Sequence, residues 1–258
     1  MSFELETQLR DAEAELARID GTRPVLRWSA YLSSAAAKAQ FHADLDAWGA
    51  AHPEAKARRE ELLGGINHLE EALRESRAVA RRNERTVDRL KAMGVGERTL
   101  QALQAPRETQ ALKALSPWAF GGGWALVLVG GPGAGKTVAA ARAAFDALQR
   151  GETVEWVATL QASRANAFGP EAEARERAWM GAGLLVVDDV GAEFASEAWR
   201  SILGAVLDAR WGNNLRTLLT SNLTLPELKE RLGVRTMDRI AQDGRVVACG
   251  DVSLRRSA

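Results

Sequence analysis

Residues 124–141 read WALVLVGGPGAGKTVAAA. Six residues from Trp124 to Val129 make an apolar run of strand length, as a strand buried on both faces of a parallel sheet requires. A glycine cluster interrupts it, and an alanine-rich helical stretch over 136–149 follows. Gly130, Gly131, Pro132, Gly133, Ala134, Gly135, Lys136 and Thr137 fit the pattern GxxxxGK[ST] throughout. Glycines let the backbone close round an anion with its N–H groups pointing inward, where a Cβ would obstruct. Lys136 adds a mobile positive charge for the β and γ phosphates, and the Thr137 hydroxyl is placed to ligate Mg²⁺. The N-terminal dipole of the following helix favours the same anion. Strand, loop and helix in this order predict a nucleoside triphosphate site.

Two further apolar runs end in polar residues. Leu184–Val187 leads into Asp188-Asp189, and Arg216–Thr220 leads into Ser221-Asn222. In a phosphate-loop ATPase an Asp at the first position holds Mg²⁺ through water, which assigns Asp188 to the metal along with Thr137. The next carboxylate polarises the attacking water. Asp189 stands there in place of a Glu one methylene longer, which predicts slow hydrolysis or a different geometry. Asn222 is the candidate for touching the γ phosphate or orienting water. After a short helix at Glu227–Leu232, Arg235 and Arg239 stand four apart on one helical face. Arg239, or failing that Arg235, is the candidate arginine finger reaching a neighbouring subunit's nucleotide.

The first 115 residues have another rhythm. Leu5, Leu9, Ala12, Leu16 and Ile19 recur at spacings of 4 and 3, and Gly21 and Pro24 close that helix. A second helical stretch carries Phe41, Leu45 and Trp48. Leu62, Ile66, Leu69, Leu73, Ser76, Ala80, Asn83, Val87 and Leu90 then hold the 4-3 alternation, with Asn83 in the position of a register-setting buried Asn. The pattern predicts a helical hairpin or coiled coil. Arg77, Arg81, Arg85 and Arg89 form a stripe on its longest helix, either a solvated face or a contact for phosphates or an acidic partner. Residues 92–117 read as a joint with a short helix near Thr109–Leu115. The expected domains are 1–92, helical and partner-binding, and 93–258, the nucleotide-binding domain.

The totals narrow the classes. Of 258 residues, 46% are hydrophobic and 26% charged, an ordinary globular composition. Lys plus Arg and Asp plus Glu both number 34, so any basic surface is local. One cysteine and three dispersed histidines exclude an internal disulfide and a zinc module. No secretory signal opens the chain, and no apolar run approaches the ~20 residues that span a bilayer. A cytoplasmic protein without membrane contact is expected. Trp156, Trp179, Trp199 and Trp211 are expected in the core or at subunit contacts.

GPGAGKT, LLVVDDVG, VLDARWGNNLRTLLTSNL, LKERLGVRTMDRI and a closing GDVSLR together resemble the AAA+ ATPases of the DnaC/IstB-like group, which are helicase loaders and transposition helpers. The resemblance runs from about residue 93 to the last residues, and VGERTLQAL at 95–103 falls where that family has a short lead-in segment. It implies an α/β fold, an αβα sandwich on a five-stranded parallel sheet ordered 5-1-4-3-2, with little or no lid. It implies ATP and Mg²⁺, Asn222 as sensor 1, Arg239 as finger, and assembly into a spiral or ring. Arg210 in LDAR is carried over as a residue near the subunit interface. A loader would grip a replicative hexameric helicase through its N-terminal helices and single-stranded DNA through the assembled ATPase domains. A transposition helper would act on duplex DNA with a transposase, and a weakly hydrolysing adaptor would use nucleotide only as a switch.

Overall fold

The computed structural model describes residues 2–24, 34–119, 121–165, 170–192 and 197–250. Residues 251–255 of the closing GDVSLR lie outside them. Two compact units divide the chain, Met1–Arg82 and Asn83–Ala258.

In the first unit α1 (Ser2–Asp20) is followed by α2 (Ala35–Ala51) and by α3 (Pro53–Ala92), which continues past the division between the units. The Ser34 hydroxyl accepts the Ala37 N–H and caps α2. His52 ends α2 and Pro53 opens α3, the position where a missing N–H costs nothing. Ion pairs of Glu6 with Arg77, Glu15 with Arg58 and Asp20 with Arg59 set α1 antiparallel to α3, which makes the expected hairpin. Such half-exposed pairs add little stability, and they serve here to fix direction. The apolar seam of α3 is buried at Leu62, Ile66 and Leu73. Asn83 does not serve as a buried register device: it is exposed, and its Oδ1 accepts from Gln149 Nε2. In the basic stripe, Arg77 is paired, whereas Arg81, Arg85 and Arg89 are exposed.

The end of α3 belongs to the second unit, because Leu90 is fully buried in the same cluster as Leu100, Trp118 and the alanines of the phosphate-loop helix. The expected joint is more ordered than its glycines and prolines suggested. It forms α4 (Glu97–Gln104) and α5 (Gln110–Ala119), which bury Leu100 and Leu103, and Ala111, Ala114 and Trp118. Pro117 falls in the last turn of α5, where it costs the helix one i→i−4 donor, and the helix ends two residues later at Ala119.

Five strands follow: β1 (Ala125–Val129), β2 (Val154–Ala158), β3 (Leu184–Val190), β4 (Arg216–Ser221) and β5 (Arg245–Ala248). All pair in parallel in the order β2-β3-β4-β1-β5, the order the resemblance implied. Between them run α6 (Lys136–Gln149), α7 (Thr159–Ala165), α8 (Pro170–Gly181), α9 (Glu197–Gly212), α10 (Leu225–Leu232) and α11 (Val234–Asp243). One face of the sheet packs on α4, α5 and α6, with Leu126, Leu128 and the α6 alanines at its centre. The other packs on α9, α10 and α11 through Val127, Leu185, Leu207 and Ile240. Trp156, Trp179 and Trp199 are buried as expected. Among the described residues no helix is long and apolar enough to cross a membrane.

Ile66→Asp together with Leu73→Asp should unfold the hairpin, since each substitution buries an unpaired charge and costs about 3 kcal/mol or more. Nucleotide affinity of the second unit should survive. Loss of the whole melting transition in calorimetry would show that the two units fold as one.

Candidate nucleotide site

β1 ends at Val129 and the chain turns at Gly130, with φ of 148° and an absent Cβ that would stand 2.7 Å from the Gly250 carbonyl oxygen. Gly135, at φ 85°, caps α6 and faces the Thr109 side chain, where a Cβ would meet Cγ2 at 3.1 Å. Only glycine fits these two points, and between them the loop from Gly130 to Thr137 bends as phosphate recognition needs.

Lys136 lies in the first turn of α6 and is only 6% exposed. Its ammonium donates to the carbonyls of Gly130 (2.7 Å) and Gly131 (2.9 Å) and to Asn222 Oδ1 (2.9 Å). The Asn222 amide in turn donates to Asp189 Oδ1 at 2.6 Å. A line of hydrogen bonds therefore joins the phosphate loop, the end of β4 and the end of β3. Beside it, Asp188 Oδ1 accepts from Thr137 Oγ1 (3.0 Å) and from Thr220 Oγ1 (2.7 Å). Burial pushes the Asp188 carboxyl above its ordinary range, against the two hydroxyl donors, with Asp189 adding to the rise and Lys136 opposing it.

A bulge makes this geometry. Val187 pairs with Leu219 and Val190 with Ser221, so three steps on β3 match two on β4. The surplus is taken up at Asp188 and Asp189, and Asp189 sits at φ 61°, left-handed for a non-glycine residue. Two hydroxyls that the sequence did not single out hold the bulge. Thr220 Oγ1 accepts the Asp189 N–H at 2.8 Å, and Thr159 Oγ1 donates to the Asp189 carbonyl at 2.7 Å. The only sequence signal for Thr220 is a hydroxyl at the end of an apolar strand, and its partner depends on strand order.

These residues open on a cavity of about 700 Å³, a volume suited to a nucleotide. Lys136, Thr137, Asp188, Asp189 and Asn222 line it together with Arg98 and Ala102 of α4, Arg107 of the link after α4, and Leu112 of α5. The donor set fits Mg²⁺. Among the described residues no group of three His, Cys, Asp or Glu gathers to hold a metal by protein alone. One hydroxyl and one half-buried carboxylate suit an ion that takes its remaining ligands from phosphate and water.

The two candidate arginines lie elsewhere. Arg239 stacks over Trp211, 4.2 Å from guanidinium carbon to ring centroid, and pairs with Asp208. Arg235 is 75% exposed at its side chain and reaches the same carboxylate at 3.2 Å. Arg210 is not a surface residue. It is fully buried, and its guanidinium donates to Thr217 Oγ1 and to the carbonyls of Trp179, Ala182 and Arg216. Burial pulls its pKa down to about 10. The expectation of an interface residue fails because four neutral acceptors at the start of β4 and the end of α8 claim every arm of the side chain.

A family model described as IstB-like ATP binding protein matches residues 36–258, and the chain belongs to that family. Among solved structures, the DnaC helicase loader is 21% identical with a TM-score of 0.51, covering 60% of this chain and 99% of its own. A DNA replication initiation factor is 16% identical with a TM-score of 0.50, covering 57% of this chain and 48% of its own. At these identities the likeness is one of fold, the five-stranded parallel sheet and its helices described above. No curated protein sequence matches the chain.

Because the folded Asp188 carboxyl binds its proton more tightly than the unfolded chain does, nucleotide-free stability falls as pH rises from about 4 through the folded value. Asp188→Asn keeps an oxygen for Thr137 and Thr220 and removes that loss. The variant should melt higher than the parent at pH 7.5, with the gain vanishing as pH approaches 4. Its ATP turnover should drop on the order of a hundredfold or more. A variant that melts lower at neutral pH would contradict the burial argument.

Proposed function

We propose that this IstB-like ATP-binding protein is a Mg²⁺-dependent ATPase whose subunits assemble on ATP and deliver a replicative hexameric helicase to single-stranded DNA. The observation that carries the ATPase reading is the Lys136–Asn222–Asp189 line beside the Thr137–Asp188 pair in the cavity. Phosphate oxygens are charged acceptors and displace the neutral carbonyls and Asn222 Oδ1 from the Lys136 ammonium. Asn222 keeps its bond to Asp189 and holds that carboxylate by one oxygen, leaving the other to take the proton of an attacking water. Thr137 and Asp188 would hold Mg²⁺, which when bound draws off charge developing on the phosphates. Asp189 is short for its task, which supports slow turnover, the pace of a timer for assembly and release.

The arginine finger is Arg239, supplied to a neighbouring subunit's γ phosphate, with Arg235 the second candidate. The N-terminal helices supply the grip on the helicase, and the exposed Arg81, Arg85 and Arg89 of α3 suit an acidic surface there. A second reading, a transposition helper on duplex DNA, is favoured by the family whose model matches the chain.

Full-length protein carrying Asp189→Asn, held with Mg²⁺-ATP, should recover a hexameric helicase from the native host and prefer single strands. Recovery of a transposase with preference for duplex would decide for the helper. Affinity for DNA should fall about 10³-fold or more between 50 and 200 mM salt if several phosphates are contacted. Lys136→Ala should abolish nucleotide binding, measured by calorimetry. Normal ATP affinity in that variant would dismiss the site.

A further inference from the structure

We infer that Asp208 and Trp211 form a clamp on Arg239 that withholds the finger in the isolated subunit, making Asp208 a positioning residue for hydrolysis. The inference rests on Arg239 being the finger and goes beyond it.

Asp208 and Trp211 stand three apart on one face of α9, and Arg235 and Arg239 four apart on α11, so the four side chains can meet across the two helices. They do. The Arg239 guanidinium lies over the Trp211 ring and pairs with Asp208 Oδ1, while Asp208 Oδ2 takes Arg235. Trp211 is itself steered by its Nε1, which donates to Asp243 Oδ2 at 3.4 Å, and Trp124 Nε1 donates to the Arg239 carbonyl. The Arg239 side chain is left 15% exposed. A finger so held has its charge satisfied by a carboxylate and its flat face covered by an indole.

A guanidinium that forks onto a neighbour's phosphate must give up its carboxylate, because the two anions compete for the same N–H groups. Asp208 therefore sets the threshold for assembly. It does not hold Arg239 alone, since Arg235 remains to neutralise it when Arg239 leaves, which keeps release from stranding a half-buried charge. Val234, next to Arg235 at the start of α11, and Leu225 at the start of α10 are exposed apolar side chains, as an edge that a second copy covers would show.

Steady-state ATPase rate measured against protein concentration tests the clamp. Asp208→Asn weakens the pair, and the concentration at half-maximal rate should fall about fivefold, the factor that releasing a partly exposed ion pair gives to a competent minor state. The plateau should be no lower than the parent's. Asp208→Glu, which keeps the charge, should stay near the parent. Trp211→Leu removes the stacking platform and should shift the curve in the same direction as Asp208→Asn, which guards against a single ill-folded variant. Arg239→Ala should be flat at every concentration. Curves for Asp208→Asn and Trp211→Leu that overlie the parent, or lie to higher concentration, overturn the clamp while a flat Arg239→Ala keeps the finger. A parental plateau in Arg239→Ala overturns the finger and the clamp with it.

Discussion

Parallel pairing of β4 between β1 and β3 is the constraint on which the site depends. Each strand ends in the residues of one motif: the phosphate loop after β1, the two carboxylates at the end of β3, and Asn222 after β4. Side by side in one direction, the three ends deliver their polar groups to the same edge of the sheet. There the crevice beyond the strand ends is open, as is general for sheets of this kind. An order that took β4 from between β1 and β3 would part Lys136 from Asn222 and Asp188 from Thr220. The bulge at Asp188–Asp189 lies in that pairing too, where β3 takes one more step than β4 between Val187 and Val190.

Buried and half-buried polar side chains sit at both ends of the same sheet and do opposite work. At the carboxyl ends Lys136, Asp188 and Asp189 gather charges whose hydrogen bonds are to groups that ligands can replace. Asp188 in particular is held above its ordinary pKa by burial, so the fold there is strained in the electrostatic sense and improves when a cation arrives. At the amino ends Arg210 meets only carbonyls and a hydroxyl, all supplied by the fold, and has no reason to move. The same residue type thus meets only acceptors fixed by the fold at 210, whereas at 239 it meets a carboxylate shared with Arg235 and a π face.

The helical first unit follows a different physics. Its direction comes from three cross-helix ion pairs and its cohesion from a seam buried only in part, while much of the middle of α3 from Ser76 to Asn83 stays in solvent. A helix so exposed owes its regularity to good helix formers and i,i+4 neighbours more than to packing. That composition leaves arginines available at the surface without distorting the helix.

Local chemistry that repeats at fixed spacing was legible in the sequence. The phosphate loop, the strand before it, the helix 136–149 after it, the end of α1 and the 4-3 run of α3 all follow from glycine placement, apolar runs and 3-4 periodicity, each a property of neighbours along the chain. The strand order came from the resemblance, and no periodicity encodes it. What only the tertiary structure decided was every contact between residues far apart in sequence. Thr220 and Thr159 hold the bulge, Asn222 joins Lys136 to Asp189, Asp208 takes two arginines, and Arg210 goes to the core. The reason is one of partners. A hydroxyl, an amide or a guanidinium has the same chemistry wherever it stands, and its role is set by which acceptors the sheet and helices bring within 3 Å of it.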